Sequence, residues 1–241
     1  MSCLCYFSAS AQDNDTLEIQ RNDNGKIIFA RFKPNANRKI KDGESFLKKV
    51  LQAKPDDSLR MVKETTDELG ITHRRYQQYF KGVKVEEAEY LVHWKNGNID
   101  MINGDFQDIA ISSVTPSLTE AQGIAKALNF VNAKKYKWED PAMEMFVKNN
   151  TNNANATYYP KGELVIAKDT LPGSKIFRLS WKFTISSLQP NNEQLVFVDA
   201  LSGNVIRTIP LISDVNTPCT AQTRYSGTLG IIGDSFNGGV L

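Results

Sequence analysis

The stretch Asp67-Glu-Leu-Gly-Ile-Thr-His-Arg-Arg-Tyr-Gln-Gln-Tyr-Phe-Lys-Gly-Val-Lys-Val-Glu-Glu-Ala-Glu-Tyr-Leu-Val-His93 decides the fold. It reads as two alternating strands joined at Lys81-Gly82. Asp67 to Gly70 is a turn, because Asp and Gly supply the local hydrogen bonds and the φ freedom that turns need. The first strand, Ile71 to Phe80, places Thr72, Arg74, Tyr76, Gln78 and Phe80 on one face. The second runs from Val83 to Trp94. Over its far half Ala88, Tyr90, Val92 and Trp94 share a face, with Leu91 and His93 opposite. Such period-two alternation is the mark of strands buried on one side.

Working outward, Lys95-Asn-Gly-Asn98 is a strong hairpin signal, since Asn-Gly tolerates the positive φ angles of a type I′ turn. Ile99 to Asn103 then returns along the sheet. Upstream, Leu59 to Glu64 alternates as a further strand. Before it, Glu44 to Ala53 puts Phe46, Leu47, Val50 and Leu51 on one helical face and stops at Pro55. Pro116 opens a second patterned block. Ser117 and Glu120 have the spacing of a capping box. The helix they start carries Leu118, Ala121, Ile124, Ala125, Leu128 and Val131 on one stripe. After a polar loop from Asn149 to Ala156 come strands at Glu163–Ala167, Ile176–Ile185, Gln194–Val198 and Val205–Ile209. The clearest has Phe177, Leu179, Trp181, Phe183 and Ile185 on one side. The pattern predicts an α+β chain of two units, each a helix packed on an antiparallel sheet, with a boundary at Gln107 to Thr115. Ser213 to Gln222 has no periodicity and reads as a linker.

A chain of 241 residues that is 41% hydrophobic can bury a core, and a net charge of +2 supplies no field for nucleic acid. The basic stretch Arg31 to Lys41 reads as a solvated loop. Cys3, Cys5 and Cys219 make neither a disulfide framework nor a Cys-type zinc site. The apolar run Cys3 to Phe7, followed by Ser8-Ala-Ser-Ala-Gln12, reads as residues 1–12 being the tail of a secretory signal peptide. No run approaches the roughly 20 apolar residues of a spanning helix.

Catalytic motifs are not found. Only His73 and His93 occur, 20 residues apart, so no His-Glu-x-x-His exists in these residues. Adjacent strands can bring the two histidines together, but no acidic third ligand is implied, so no metal is expected. Ser235 fails the nucleophile-elbow pattern because Asn237 stands where a Gly is required. Glu86, Glu87 and Glu89 read as a solvated strand face. The sequons at Asn149 and Asn155 fit an exposed loop. Arg75, Gln77 and Gln78, long polar side chains clustered in mid-strand, read either as a hydrogen-bonding surface for a partner or as a solvated sheet face, and are singled out for a structural or interface role.

The quoted stretch also resembles the signature of the fungalysin/thermolysin propeptide module of thermolysin-like zinc metalloproteases, through Asp67, Gly70, His73, Arg75, Gln77, Gln78, Gly82, Val83, Val85 and His93. Residues 44–106 then form that module. Lys84 stands where the family more often has Pro, and Glu87 where it often has Gly. Residues 116–210 resemble a PepSY domain, most clearly at Phe197-Val-Asp-Ala-Leu-Ser-Gly-Asn-Val205. Residues 223–241 resemble the first hairpin of the mature catalytic domain, with 211–222 as the linker and Ser213, Pro218 and Thr220 in the processing region. The resemblance implies a cystatin/PepSY-like fold and a secreted, non-catalytic pro-region, truncated before the catalytic domain, that helps its protease fold and inhibits it. The partner is that catalytic domain, and zinc belongs there, so this chain needs no cofactor of its own. The alternatives are a free-standing secreted inhibitor or binding module, and an enzyme whose site the motifs do not reveal.

Overall fold

The computed structural model describes residues 16–33, 43–171 and 176–211, and the backbone of strands at 216–223, 227–236 and 239–240. It is a mixed α/β protein of antiparallel sheets and three α-helices among the described residues. The signal-like residues 1–12 and Ser213 lie outside them. The chain divides into two compact units, Met1–Val114 and Thr115–Leu241.

The first unit contains β1 (Thr16–Arg21), β2 (Ile27–Phe32), α1 (Gly43–Leu51), β3 (Asp57–Thr66), β4 (Thr72–Phe80), β5 (Val83–Lys95) and β6 (Asn98–Gly104). All its pairings are antiparallel, in the order β1-β2-β6-β5-β4-β3. The tight hairpins form where both central residues accept positive φ: Lys81-Gly82 (47° and 82°) and Asn96-Gly97 (52° and 77°). One face of the sheet carries Ala30, Phe32, Leu59, Tyr76, Tyr90, Val92 and Ile102. It packs against Leu47 and Leu51 of α1, with Phe46 and Val50 at the margin. This is the helical face the spacing predicts. Gln52, in the left-handed region, ends α1, and the Ala53 N–H returns to Lys48 O (2.9 Å). The segment after β6 belongs to this unit, and Phe106 joins its core cluster.

The second unit contains α2 (Glu120–Val131), β7 (Lys135–Tyr136), α3 (Pro141–Asn150), β8 (Glu163–Lys168), β9 (Phe177–Gln189), β10 (Asn191–Asp199) and β11 (Val205–Pro210). The strands pair in the order β8-β9-β10-β11, with β7 at the far end of β9. Ile124 and Ala127 of α2, flanked by Leu128 and Val131, pack on Phe183, Ile185, Val196 and Val198. Ala121 and Ala125 lie at the margin of that stripe and are exposed.

Three local expectations are corrected. The helix cap is Thr119, not Ser117: Thr119 Oγ1 accepts from Gln122 N (3.3 Å) and Gln122 Oε1 accepts from Thr119 N (2.9 Å). Ser117 is displaced because its N–H and that of Leu118 both reach Ala200 O (3.0 Å each), while Glu120 turns away to accept from Gly162 N (2.7 Å). Second, α3 is a helix that the periodicity does not reveal. Its start is legible all the same: Asp140 caps Ala142 N (3.0 Å), and Pro141 sits at the first helical position. Third, Asn216–Thr223 is not an unpatterned linker. It is strand β12, which pairs with β13 (Gly227–Phe236), itself paired to β14 (Gly239–Val240). Pro218 pairs opposite Ile232, and Thr220 opposite Gly230. Among the described strands β12 has a partner on one side only, and an edge strand can lose a donor to proline.

Trp181 sits at the rim of the α2 cluster rather than at its centre. It is half-buried, its Nε1 donates to Leu118 O (2.9 Å), and Phe183 fills the fully buried position. Trp181→Phe keeps most of the packing and removes one hydrogen bond. A loss of about 1 kcal/mol is expected from urea unfolding of the full chain, and a loss above about 3 kcal/mol would place Trp181 in the core after all.

Candidate functional site

The motif hairpin β4–β5 holds a set of buried polar contacts that originates in a break of the ladder. Gln77 pairs with Glu89 and Tyr79 with Lys84, so Gln78 alone stands opposite the four residues Val85 to Ala88. Glu87 lies within this bulge at φ 59°. A bulge of this size leaves carbonyls without ladder donors, and buried carbonyls need them. Gln77 supplies them: its Nε2 lies 2.6 Å from Val85 O and 3.0 Å from Ala88 O.

Gln78 does a second job. Its Nε2 donates to Asp57 Oδ1 (3.1 Å) and Gln107 O (2.8 Å), and its Oε1 accepts from Gln107 N (2.9 Å). Asp57 Oδ2 accepts from Lys54 N (3.0 Å). One fully buried amide therefore joins the start of β3, the middle of β4 and the segment after β6. Gln77 and Gln78 are 4% and 0% exposed. This corrects the expectation that they form a contact surface. The amides are consumed inside the fold, because the bulge and the returning chain need donors where no strand can supply them. Arg75 does remain at the surface, paired with Glu89 across the hairpin, with both side chains about two-fifths exposed.

Glu87 explains a sequence departure in physical terms. A side chain at φ 59° is strained by about 1–2 kcal/mol, and glycine is not. Glu87→Gly is therefore expected to raise stability by about 1 kcal/mol, after the added freedom of the unfolded chain is subtracted. Thermal unfolding reads this directly, and a lowered midpoint would show that contacts of the Glu87 side chain outweigh the strain.

The two histidines meet. His73 and His93 are direct cross-strand partners, their rings edge-to-face at 4.8 Å, with Nδ1 to Nδ1 at 2.5 Å. His93 Nε2 lies 2.6 Å from Asn103 Oδ1, and His73 Nε2 lies 3.2 Å from Asp67 Oδ2. Asp67 also caps its own turn, accepting from Leu69 N and Ile71 N at 2.9 Å each. The Ile71 N–H is the largest influence holding the Asp67 carboxyl below the usual range, with His73 and Leu69 adding to it. Burial is the largest influence on His93 and lowers it below the ordinary imidazole value; its bond to Asn103 opposes this and the charge of His73 adds to it. Among the described residues, no group of three or more His, Cys, Asp or Glu is placed to hold a metal ion.

In the second unit, Arg178 bridges two buried carboxylates. Its Nε is 2.8 Å from Asp169 Oδ2, and its Nη1 is 3.2 Å from Asp199 Oδ2. Asp199 also accepts from Leu201 N and Ser202 N, which fixes the β10–β11 turn. Every one of these groups is paired, so the clasp reads as structural.

Residues 57–106 match the fungalysin/thermolysin propeptide motif. That span begins at Asp57 and ends at Phe106, one residue short of the Gln107 backbone held by Gln78. The chain is 27% identical over 203 residues to a bacillolysin of Bacillus subtilis (strain 168), covering 82% of this chain and 36% of that protein. It is 25% identical over 186 residues to a bacillolysin of Bacillus amyloliquefaciens, covering 76% of this chain and 33% of that protein. The chain thus spans about a third of the length of the curated relatives it matches. Among solved structures, the Bacillus megaterium YpeB C-terminal domain aligns with 78% of this chain and 74% of its own, at 15% identity and a TM-score of 0.34. Residues 57–106 thus carry a propeptide motif of the thermolysin type, in a chain similar to bacillolysins.

Proposed function

We propose that this chain is the pro-region of an exported thermolysin-like zinc metalloprotease precursor, in which it assists folding of the catalytic domain and inhibits it until cleavage. In this reading residues 1–12 are the remnant of a signal peptide, the second unit is a PepSY-like domain and both units are cystatin/PepSY-like. The chain itself performs no catalysis and needs no cofactor. Its partner is the catalytic domain, which carries the zinc. The observation that supports this most strongly is the motif match over residues 57–106, together with similarity to bacillolysins that extends over most of the chain.

The physics of such a role is direct. A large domain rich in non-local contacts folds slowly. A partner complementary to the native-like form lowers that barrier. Covalent linkage raises the effective concentration of the inhibitor, so modest intrinsic affinity is enough. None of the described helices is long and apolar enough to cross a membrane. The candidate processing region passes through β12, where Pro218 and Thr220 lie in an edge strand.

The test is inhibition in trans. The full chain, titrated into a mature bacillolysin-type protease, is expected to inhibit at micromolar concentration or below and to co-elute with the enzyme. It should also raise the yield of active enzyme refolded from denaturant. A chain that leaves the enzyme fully active, never co-elutes and does not help refolding would remove the mechanism and favour a free-standing binding module with another partner.

A further inference from the structure

The His73–His93 contact limits how many protons the pair can hold. Two imidazoles that meet through Nδ1 need one donor and one acceptor. The contact is met when His73 Nδ1 carries the proton donated to His93 Nδ1 and His93 carries its own proton on Nε2, which donates to Asn103 Oδ1; a proton on His73 Nε2 adds a bond to Asp67 Oδ2. A further proton on His93 Nδ1 would set N–H against N–H at 2.5 Å. The pair cannot be doubly protonated and remain closed.

The position makes this consequential. The contact bridges β4 and β5 directly, as a register pair. Through Asn103 it reaches β6, and through Asp67 it reaches the turn between β3 and β4. Four consecutive elements of the motif are joined by one proton-dependent chain. The His73 side chain is 27% exposed, so water and protons can reach it.

We propose that the His73–His93 pair is an acid-sensitive latch of the first unit, closed while His93 Nδ1 is free to accept and opened when acidification protonates both imidazoles. This goes beyond the pro-region reading and does not rest on it. The charged groups around the pair are Asp67 on the turn, bonded to His73, Asp100 on β6, whose charge acts on His93, Arg75 two residues from His73 and paired with Glu89, Lys63 on β3 opposite Arg75, and Lys95 at the end of β5. These are carboxylates, amines and a guanidinium. Imidazole is the class that ordinarily changes charge between about pH 5 and 8. The sign follows from His93. Burial lowers its folded value below the unfolded value of about 6.5, so the unfolded chain binds the proton first. Its contribution is fully present above about pH 6.5 and is lost as pH falls through the lowered folded value.

The test uses the full chain, labelled with 15N at histidine and followed by NMR from about pH 7.5 to 5.5, the range around the imidazole value. His93 is expected to keep the neutral Nε2–H form, with Nδ1 as a bare acceptor. It should take its second proton only in step with the loss of first-unit amide signals. Thermal unfolding gives a second readout. His93→Gln keeps an acceptor for His73 but cannot be protonated, so the fall in midpoint between those two pH values should be at least halved. Two imidazoles titrating independently near their ordinary value with the sheet intact would overturn the latch. An unchanged acid-induced fall in the variant would do the same. Should His93→Gln fail to fold, the titration of the unmodified chain decides alone.

Discussion

Gly104→Ala should destabilise the first unit severely. A Cβ built at Gly104 lies 2.2 Å from Glu89 O, 2.7 Å from Tyr90 Cα and 2.9 Å from Tyr90 Cδ2. The first two are backbone atoms of β5, the central strand of the motif. They are also pinned: Glu89 O accepts from Asp105 N (2.9 Å), and the fully buried Tyr90 donates its phenol to Ile27 O. Burial pushes that phenol well above the usual tyrosine value, which keeps it a donor. Nothing near Gly104 is the free end of a flexible side chain. Relief has to come from separating β5 and β6, and the φ of 156° adds strain of its own for any side chain. A cost of about 4 kcal/mol or more is expected, in the range reserved for severe core disruption. Urea unfolding of the full chain, monitored by amide signals of the first unit, measures it. A loss below about 1 kcal/mol would mean that β5 and β6 are not so closely apposed at Gly104.

Gln78→Leu should have the next largest effect. The side chain volume is nearly kept, so packing alone predicts little. The polar accounting predicts much more. Leucine removes the donor to the buried Asp57 carboxylate and both partners of the Gln107 backbone at once. A carboxylate at 4% exposure that loses a donor cannot recruit water without opening the sheet. The expected loss is about 3–4 kcal/mol. The paired variant Asp57→Asn with Gln78→Leu should recover part of it, because the uncompensated charge is gone. If Gln78→Leu costs no more than about 1 kcal/mol and the double variant recovers nothing, the amide is not the keystone of the motif.

These two positions also mark where the sequence stops being informative. Alternation in Thr72 to Phe80 and Ala88 to Trp94, the Asn96-Gly97 turn, and the helical spacing of Phe46 to Leu51 are local signals, and local signals are enough for the strands, the hairpins and the face of α1. The motif pattern reaches further and points by itself to a propeptide module. What it does not carry is the role of each residue within that pattern. Arg75, Gln77 and Gln78 look alike in sequence as a polar run. In space the first lies at the surface beside Glu89, the second fills the donor deficit of a bulge, and the third binds three separated segments.

The same limit holds elsewhere. Ser117 and Thr119 are both chemically competent helix caps, and the choice falls to Thr119 because Ala200, distant in sequence, claims the N–H groups of residues 117 and 118. Pro218 argues against a strand by its own chemistry, yet β12 accepts it because, among the described strands, it is an edge strand with one neighbour. Alone, the sequence determined the strands and hairpins around the motif, the core face of α1 and the family of the motif, because hydrophobic period and turn chemistry act over a few residues. Only the tertiary structure decided which polar groups are spent inside and which remain outside, because a buried donor or acceptor is satisfied by whatever the folded chain brings to it, irrespective of distance along the sequence.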